Sequence, residues 1–358
     1  MKKSTASKPA YSRPITRAPR SLVENGRINF GTFSTDFETV NPLDAVRVFG
    51  VPVPRFAKFM RLKEWQAYQL GNSDCFILVV LYNQKAGLLT QFIFFDRIKR
   101  TAFKYEKIVP AWKTTMPASL ADSRACYESG GYRIDYHNRL KHGMLYIDVA
   151  FRSRRGLPDL YGHFEALHGA RGVRPLVVSL PLGENRGMYS HKCLMPMQGS
   201  LCVGDRTIEF RDDDSFAIID AHKGYYPYIL KYDWVTGVIT GRKRGLAGFN
   251  LTDNQARDPE RYNENCLWSD GELHLLPPIR FDRPDGPDGE WLIRDGYGMV
   301  DLVFTPVMPN VIKMNLLIAE TDYHGPFGSF RGVIRPRNGA KVPVDGFFGM
   351  GEQKYLRG

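Results

Sequence analysis

Six short turn signals in the second half of the chain are the sequence feature that most constrains the fold. They are the Asp-Gly or Asn-Gly pairs at 270–271, 285–286, 288–289, 295–296, 338–339 and 345–346. Such pairs accept the positive φ angles of two-residue hairpin turns and therefore predict antiparallel neighbours. In the segment CLWSDGELHL the turn predicts the pairs Ser269–Glu272, Trp268–Leu273 and Cys266–Leu275.

The first half has the same organisation. KEWQAYQL and CFILVVLY flank the turn GNSD, and a second hairpin surrounds ESGG. Aromatic residues make up 13% of the chain, which favours strands over helix bundles. We therefore predict an all-β protein of two tandem antiparallel meander barrels, covering residues 21–180 and 181–358. Pro158–His168 is the one segment in which we predict a helix.

The net charge of +11 is concentrated at the N-terminus. Residues 1–20 contain six Lys or Arg and no acid, so the other 338 residues carry only +5. We expect this basic segment to be a disordered, solvated tail, with weak contact to an anionic surface as the alternative, and we expect no specific nucleic-acid binding. No segment approaches the about 20 apolar residues of a spanning helix, and the five cysteines show no CxxC spacing. These features predict a soluble cytoplasmic protein without a zinc site.

The hairpin at Asp270-Gly271 raises a question about one carboxylate. Side chains alternate along a strand, so Glu264 is expected on the same face as Cys266 and Trp268. That face is otherwise apolar. A carboxylic acid in apolar surroundings has a raised pKa and can act as a general acid. Glu264 is therefore either a proton donor or one half of a buried ion pair with an arginine.

Other polar side chains also lie in strand-like segments of the second half. An imidazole near an acid could share its proton, and a tryptophan could stack on an unsaturated or cationic ligand. Our candidate catalytic residues are Glu264, His191, Asp220 and Asp233. Our candidate ligand-binding residues are Tyr189, His222, Trp234, Asn250, Asn265, Trp268 and Glu352. Each has a structural alternative, as a satisfied histidine, a core tryptophan, a turn-capping asparagine or a strand-end aspartate.

Several of these segments also carry a family resemblance. The order YSHK, DAHKGYYPY, DW, GFNL, ENCLWSDG and GVIRPRNGAKVPVDGFFGMGE resembles a bacterial family known only as a domain of unknown function. That family is distantly similar to the two-barrel, lipocalin-like group that includes carotenoid hydratases of the hydroxyneurosporene synthase type. The resemblance implies two lipocalin-like barrels. It transfers no catalytic role to a residue of this chain, since fold alone does not define function.

The sequence therefore predicts a barrel protein that binds a hydrophobic or amphipathic small molecule. Within this class we favour acid–base chemistry without cofactor or metal, such as the hydration, isomerisation or cyclisation of a hydratase- or isomerase-like lyase. Glu264 would donate the proton, with His191 or Asp220 as its partner. Three alternatives stay open: a lipid or terpenoid carrier, a structural scaffold and a carbohydrate-active enzyme. The last is suggested by the aromatic residues Tyr225, Tyr226, Tyr228 and Trp234.

Overall fold

A computed structural model describes residues 11–153, 156–170, 173–241, 245–315 and 320–358. Within these ranges the chain is all-β, as predicted, and forms two large antiparallel sheets and one small two-stranded sheet. The helical elements are one α-helix of seven residues and short 3₁₀ turns at Pro42–Asp44, Ala111–Lys113 and Leu140–His142.

The first large sheet is built from the N-terminal part of the chain. Its elements, together with the small sheet β2–β3 and helix α1, are β1 (Ile15–Thr16), β2 (Val23–Glu24), β3 (Arg27–Ile28), β4 (Gly31–Phe33), α1 (Arg55–Arg61), β5 (Lys63–Gly71), β6 (Cys75–Asn83), β7 (Leu88–Asp96), β8 (Thr101–Val109), β9 (Ser123–Glu128), β10 (Tyr132–Arg139), β11 (Met144–Phe151), β12 (Leu160–Leu167), β13 (Leu176–Pro181), β14 (Gly187–Val203), β15 (Arg206–Phe210) and β16 (Phe216–Gly224). The strand order is β8-β7-β6-β5-β16-β14-β12-β11-β10-β9. Strands β13 and β15 also pair with β14, β4 pairs with β13, and β1 pairs in parallel with β4.

The second large sheet contains the rest of the chain. Its strands are β17 (Ile229–Ile239), β18 (Ala247–Asp253), β19 (Cys266–Ser269), β20 (Glu272–Leu275), β21 (Ile279–Asp282), β22 (Trp291–Asp295), β23 (Val300–Met308), β24 (Val311–Asn315), β25 (Glu320–His324), β26 (Phe327–Ile334), β27 (Val342–Pro343) and β28 (Phe348–Arg357). The order is β20-β19-β18-β17-β28-β26-β23-β22-β21, with β25 on β28, β24 on β25 and β27 on β26.

Each large sheet curls around its own apolar core, and a third core joins the two sheets. The position of β6 between two cores explains why its sequence is a continuous apolar run. Ile77 and Val79 face the core of the first sheet, whereas Phe76 and Leu78 face the core shared with the second. A strand that is buried on both faces does not need a polar side. The shared core is where the candidate site lies.

The predicted hairpin at Asp270-Gly271 is confirmed. The observed pairs are Cys266–Leu275, Trp268–Leu273 and Ser269–Glu272. Asp270 and Gly271 have φ angles of 53° and 77°, as a two-residue turn with two left-handed residues requires. The regular pairing ends at Cys266, so Glu264 lies before the strand.

The helix predicted for Pro158–His168 is wrong. Residues Leu160–Leu167 form β12, which pairs with β11 on one side and β14 on the other. Leu160, Phe164 and Ala166 are buried, which is a period of two and not of 3.6. Pairing with two long neighbours satisfies the backbone of this segment without a helix.

The division between the two sheets also differs from the predicted boundary at residue 180. Strands β13, β14 and β16 belong to the first sheet, so the division lies between Gly224 and Ile229. The reason is that β16 pairs with β5, far earlier in the chain, and so completes the first sheet. Pairing over such a separation has no local sequence signal.

The structure describes only the second half of the predicted tail, which covers residues 1–20. Residues 1–10 lie outside the described residues. Residues 11–20 are ordered, contrary to the prediction: β1 joins the first sheet, and Tyr11 and Arg13 are buried. Arg13 donates hydrogen bonds to the main-chain oxygens of Asn265 and Leu276 at 3.2 and 2.9 Å. Arg13 therefore attaches residues 11–20 to the second sheet, and we call these residues the N-terminal clamp.

Candidate functional site

Strands β14 and β16 bring four polar side chains to one face of the first sheet. Ser190 pairs with His222 and Lys192 pairs with Asp220 in an antiparallel register. Because residues two apart on a strand share a face, Ser190 and Lys192 point the same way, as do Asp220 and His222. All four are buried. They face the core between the two sheets, where Glu264 approaches from the second sheet.

These five residues form what we call the polar cluster: Ser190, Lys192, Asp220, His222 and Glu264. Lys192 Nζ donates to Asp220 Oδ1 at 2.6 Å, and His222 Nε2 lies 2.9 Å from the same oxygen. Ser190 Oγ donates to Glu264 Oε2 at 2.8 Å and lies 3.2 Å from His222 Nε2. Lys192 Nζ and His222 Nε2 are each 3.7 Å from Glu264 Oε2. One hydroxyl therefore connects the imidazole to the second carboxylate.

Glu264 reaches the cluster from the segment that joins β18 to β19. Trp234 Nε1 donates to Asn250 Oδ1 at 2.6 Å, and Asn250 Nδ2 donates to the main-chain oxygen of Glu264 at 2.6 Å. The charges of Arg13 and Glu264 attract each other. Arg13 nevertheless donates its hydrogen bonds to main-chain oxygens and hydroxyls and not to the Glu264 carboxylate. Among the described contacts of Glu264, therefore, none is an ion pair with an arginine.

Aromatic and apolar side chains surround the polar cluster and form a cleft between the sheets. Trp65 stacks on the His222 ring with centroids 4.3 Å apart and an interplanar angle of 14°. Tyr226 Oη lies 3.4 Å from His222 Nδ1, and Lys192 Nζ lies 5.2 Å from the Trp234 ring centre. We call this the inter-sheet cleft; its apolar lining is Trp65, Leu182, Met188, Tyr226, Leu230 and Trp234.

The inter-sheet cleft is narrow. Its cavity volume is only about 30 Å³. Cavities that enclose a typical small-molecule ligand are about 300–1,000 Å³. The walls must therefore move apart to admit anything larger than a few waters.

A third carboxylate, Glu352, lies on the β28 side of the cleft. It accepts hydrogen bonds from Tyr232 Oη at 2.8 Å and Tyr323 Oη at 2.7 Å. Burial, and then the Glu352 charge, raise the pKa of both tyrosines, so both keep their protons. Lys354 Nζ donates to Tyr232 Oη at 3.2 Å, and burial lowers the pKa of this lysine.

The charges of the cluster stabilise one another. Burial is the largest influence on Asp220 and would raise its pKa, but Lys192 and His222 together lower it below the ordinary value. Burial likewise opposes the charge on Lys192, but Asp220 and Glu264 raise its pKa. The structure thus holds a lysine ammonium and an aspartate carboxylate deep in a largely apolar region.

The structure brings together six of the residues predicted from the sequence. These are Asp220, His222, Glu264, Trp234, Asn250 and Glu352, and all of them line or support the inter-sheet cleft. They come from five different segments of the chain. Cys266 and Trp268, which were predicted to share a face with Glu264, belong to the core between the sheets, and Glu264 lines the cleft.

Five other predicted residues lie elsewhere. His191 and Tyr189 point to the opposite face of β14, where His191 Nδ1 and Tyr189 Oη contact the Asp36 carboxylate at 2.9 and 2.8 Å. His191 is therefore not the partner of Glu264. Asp233 accepts a hydrogen bond from Arg283 at 2.7 Å, outside the cleft. The other two have structural bonds: Asn265 with the Thr252 amide and the Pro277 carbonyl, and Trp268 with the Arg174 carbonyl.

Several site residues were missed from the sequence. The most important is Lys192, which follows His191 directly, and with it Ser190, Trp65 and Tyr232 complete the site. Every residue from Gly187 to Met197 is buried, so alternation of polar and apolar residues does not reveal which face of β14 is the functional one. An HK pair in a buried strand is still a signal, because a buried lysine requires an acidic partner.

The curled sheets and the cleft between them define the class, which is a tandem lipocalin-like barrel protein. The chain belongs to the family described as domain of unknown function DUF2804, whose model matches residues 13–357. This confirms the resemblance inferred from the sequence.

Two solved structures are similar in fold. CghA, crystallised with Sch210972, has a TM-score of 0.51 and 9% sequence identity, with 83% of this chain and 88% of that chain covered. Kievitone hydratase from Nectria haematococca has a TM-score of 0.44 and 12% identity, with 82% and 88% covered. No curated protein matches the sequence. In the described part of the chain, no helix is long and apolar enough to cross a membrane.

Proposed function

We propose that this protein binds a hydrophobic or amphipathic small molecule in the inter-sheet cleft and performs acid–base chemistry on it without a cofactor. Hydration, isomerisation and cyclisation are the reaction types that suit such a site. The observation that carries the proposal is the polar cluster itself. Two carboxylates, a lysine and a histidine are buried together at the wall of a cleft whose other walls are aromatic and apolar.

The cluster has the connections that proton transfer needs. His222 Nε2, Ser190 Oγ and Glu264 Oε2 form a continuous line with steps of 3.2 and 2.8 Å. Such steps lie at or close to hydrogen-bond distance, and they can tighten when substrate is bound. Lys192 and Asp220 hold a fixed charge pair next to the imidazole. In the proposed reaction Glu264 donates a proton to the ligand. His222 then returns a proton to Glu264 through the Ser190 hydroxyl.

The cleft walls favour an apolar or unsaturated ligand with one polar end. Trp234 and Trp65 offer ring faces, and Leu182, Met188 and Leu230 offer aliphatic surface. Carbocation-like charge that develops on an alkene during protonation would be stabilised by such ring faces. Exclusion of water by the narrow cleft would strengthen every charge interaction inside it.

Two further observations bear on the alternatives. If the protein were a carrier, we would expect arginine to neutralise each carboxylate. The described partners of Asp220 and Glu264 are instead lysine, histidine and serine. A carbohydrate-active site needs an open groove with room for water between its carboxylates, and the inter-sheet cleft is narrow. The crystallisation of CghA with a small molecule supports ligand binding by this fold.

The test compares ligands that co-purify with the wild type and with Glu264→Gln. Native mass spectrometry and organic extraction of protein from its own host identify the bound species. The amide keeps the size of the side chain and still accepts a hydrogen bond from Ser190. Asp135→Asn is the matched control, because Asp135 is an equally buried carboxylate that is paired with arginines far from the cleft.

We expect Glu264→Gln to retain a precursor that the wild type converts, while Asp135→Asn behaves as the wild type. If the wild type and Glu264→Gln contained the same bound species, the protein would be a carrier, and the catalytic part of the proposal would be refuted. The absence of a bound small molecule from all three proteins, together with failure to bind added isoprenoids or aromatic lipids, would refute ligand binding as well.

A further inference from the structure

One end of strands β5 to β8 carries a group of exposed apolar side chains. Phe56, Phe59 and Met60 lie on helix α1 with 73, 43 and 41% of their surface exposed. Ile108 at the end of β8 is 78% exposed, and Trp112 in the following 3₁₀ turn is 81% exposed. We call these five residues the end patch. Single exposed apolar residues are ordinary on a protein surface, but five on neighbouring segments are not.

The segments that carry the end patch are neighbours through the sheet register. Helix α1 ends at Arg61, and β5 begins two residues later and pairs Glu64 with Asn83 on β6. Asn83 donates through Nδ2 to the Ala111 carbonyl at 2.9 Å, next to Trp112. The β6–β7 turn contains Lys85, whose Nζ lies 4.7 Å from the Phe59 ring centre. Helix α1, this turn and the 3₁₀ turn therefore lie at the same end of the sheet.

Positive charge surrounds the end patch. The segments RFAKFMRLK (55–63) and KIVPAWK (107–113) contain six lysines and arginines and no acid. The nearest carboxylates are already engaged. Asp44 pairs with Arg55, and Glu64 is buried with ion pairs to Lys85 and Lys223. Glu106, two residues before Ile108 on β8, pairs with Lys104 at 3.0 Å. The exposed apolar side chains thus lie on segments in which cations outnumber acids.

We propose that the end patch docks on an anionic phospholipid surface. Phe and Trp side chains on a short helix and a turn can insert between headgroups, while the surrounding lysines and arginines contact the phosphates. A second copy of this chain is a poorer occupant, because a symmetric dimer would bring one cationic rim against another. The inference goes beyond the proposed reaction and does not depend on it. Trp65 follows Lys63 by two residues, so the end patch and the cleft lie at the same end of β5.

The test is sedimentation of the full-length protein with vesicles of phosphatidylcholine alone and of phosphatidylcholine with phosphatidylglycerol. We expect binding to the anionic vesicles that high salt reduces. The double variant Phe56→Ser/Trp112→Ser should lower the partition coefficient at least about tenfold, since two large apolar side chains no longer insert. Ile98→Ser is the matched control and should bind as the wild type, because Ile98 is 71% exposed in the turn at the opposite end of β7 and β8.

A second readout reports on insertion directly. Trp112 is largely exposed, whereas Trp234, Trp268 and Trp291 are buried. Brominated phosphatidylglycerol should therefore quench tryptophan emission in the wild type, and Trp112→Phe should lose most of that quenching.

Three results would overturn the proposal. The first is failure of the wild type to bind vesicles of either composition. The second is wild-type binding by the double variant, which would assign binding to the basic residues Lys2, Lys3 and Lys8. The third is equal loss of binding in Ile98→Ser, which would indicate non-specific apolar contact.

Discussion

Two buried carboxylate clusters in this protein look alike by burial and differ in their partners. Asp135 on β10 is fully buried and is held by Arg124 Nη2 at 2.6 Å and Arg133 Nη2 at 2.7 Å, with His137 Nε2 farther away at 3.4 Å. Glu264 is 2% exposed and contacts a serine hydroxyl, with Lys192 and His222 at 3.7 Å. Both clusters lie on β-structure, but only the second lines a cleft.

The difference teaches that burial of an acid does not by itself mark a functional site. Arginine keeps its proton at any physiological pH, and its planar group fixes a carboxylate by two parallel hydrogen bonds. The Asp135 cluster is therefore a fixed electrostatic contact at the surface of a sheet. Lysine, histidine and serine can exchange protons, and in the Glu264 cluster all three lie at the wall of the inter-sheet cleft.

The largest expected effect on the free energy of unfolding comes from removing one cation from each cluster. Lys192→Met should destabilise the fold by about 3–5 kcal/mol, because Asp220 and Glu264 would lose their shared ammonium in an apolar region. Arg124→Met should cost much less, since Arg133 still pairs with Asp135 and water reaches the vacated position. Urea unfolding monitored by circular dichroism measures both. Equal losses would mean that the two clusters are the same kind of structural ion pair.

A smaller effect concerns how Glu264 is positioned. Arg13 donates to Thr32 Oγ1 and to the carbonyls of Asn265 and Leu276. Arg13→Met should cost about 2–3 kcal/mol, because buried acceptors lose their donors, and it should raise hydrogen exchange around residues 263–266. Arg20→Met is the control, since its pair with Glu38 is solvent-exposed and should contribute less than about 0.5 kcal/mol. Unchanged exchange in Arg13→Met would show that the Glu264 segment is held without the N-terminal clamp.

The smallest effect is the acid response of the Asp135 cluster. Burial would raise the pKa of Asp135, but hydrogen bonds from Arg124 and Arg133 lower it from 3.8 to about 2. Because the folded state favours the ionised form, the cluster contributes full stability above about pH 4 and loses it as the pH falls towards 2. Asp135→Asn should therefore flatten the decline of unfolding free energy between pH 4 and 2, by at most about 1.4 kcal/mol per pH unit. An unchanged slope would contradict a lowered pKa of Asp135 in the folded state.

Much of the fold was predictable because its signals are local. Asp270 and Gly271 adopt their turn through backbone preferences of two adjacent residues, and the register of β19 and β20 follows from that turn. The error at Leu160–Leu167 has a local explanation as well. Its buried residues recur every second position, so a stricter test for a period of two would have predicted the strand.

The candidate site was predictable only in part. Glu264, Asp220 and His222 were identified as acids and imidazoles in apolar strands, and the structure brings them together. Lys192 was passed over for its neighbour His191, although only Lys192 faces Glu264. Both faces of β14 are buried in this region, so the sequence pattern carried no information about which of the two neighbours belongs to the cleft.

The sequence by itself determined the antiparallel strands, their tight turns and the presence of charged groups within apolar strands, because backbone preference and side-chain alternation act over a few residues. The tertiary structure alone decided that β16 pairs with β5 and that Trp65, Lys192, His222 and Glu264 meet in one cleft. These contacts join residues tens to hundreds of positions apart. They depend on how two curled sheets pack together, which stabilises the charge cluster only after both sheets have formed.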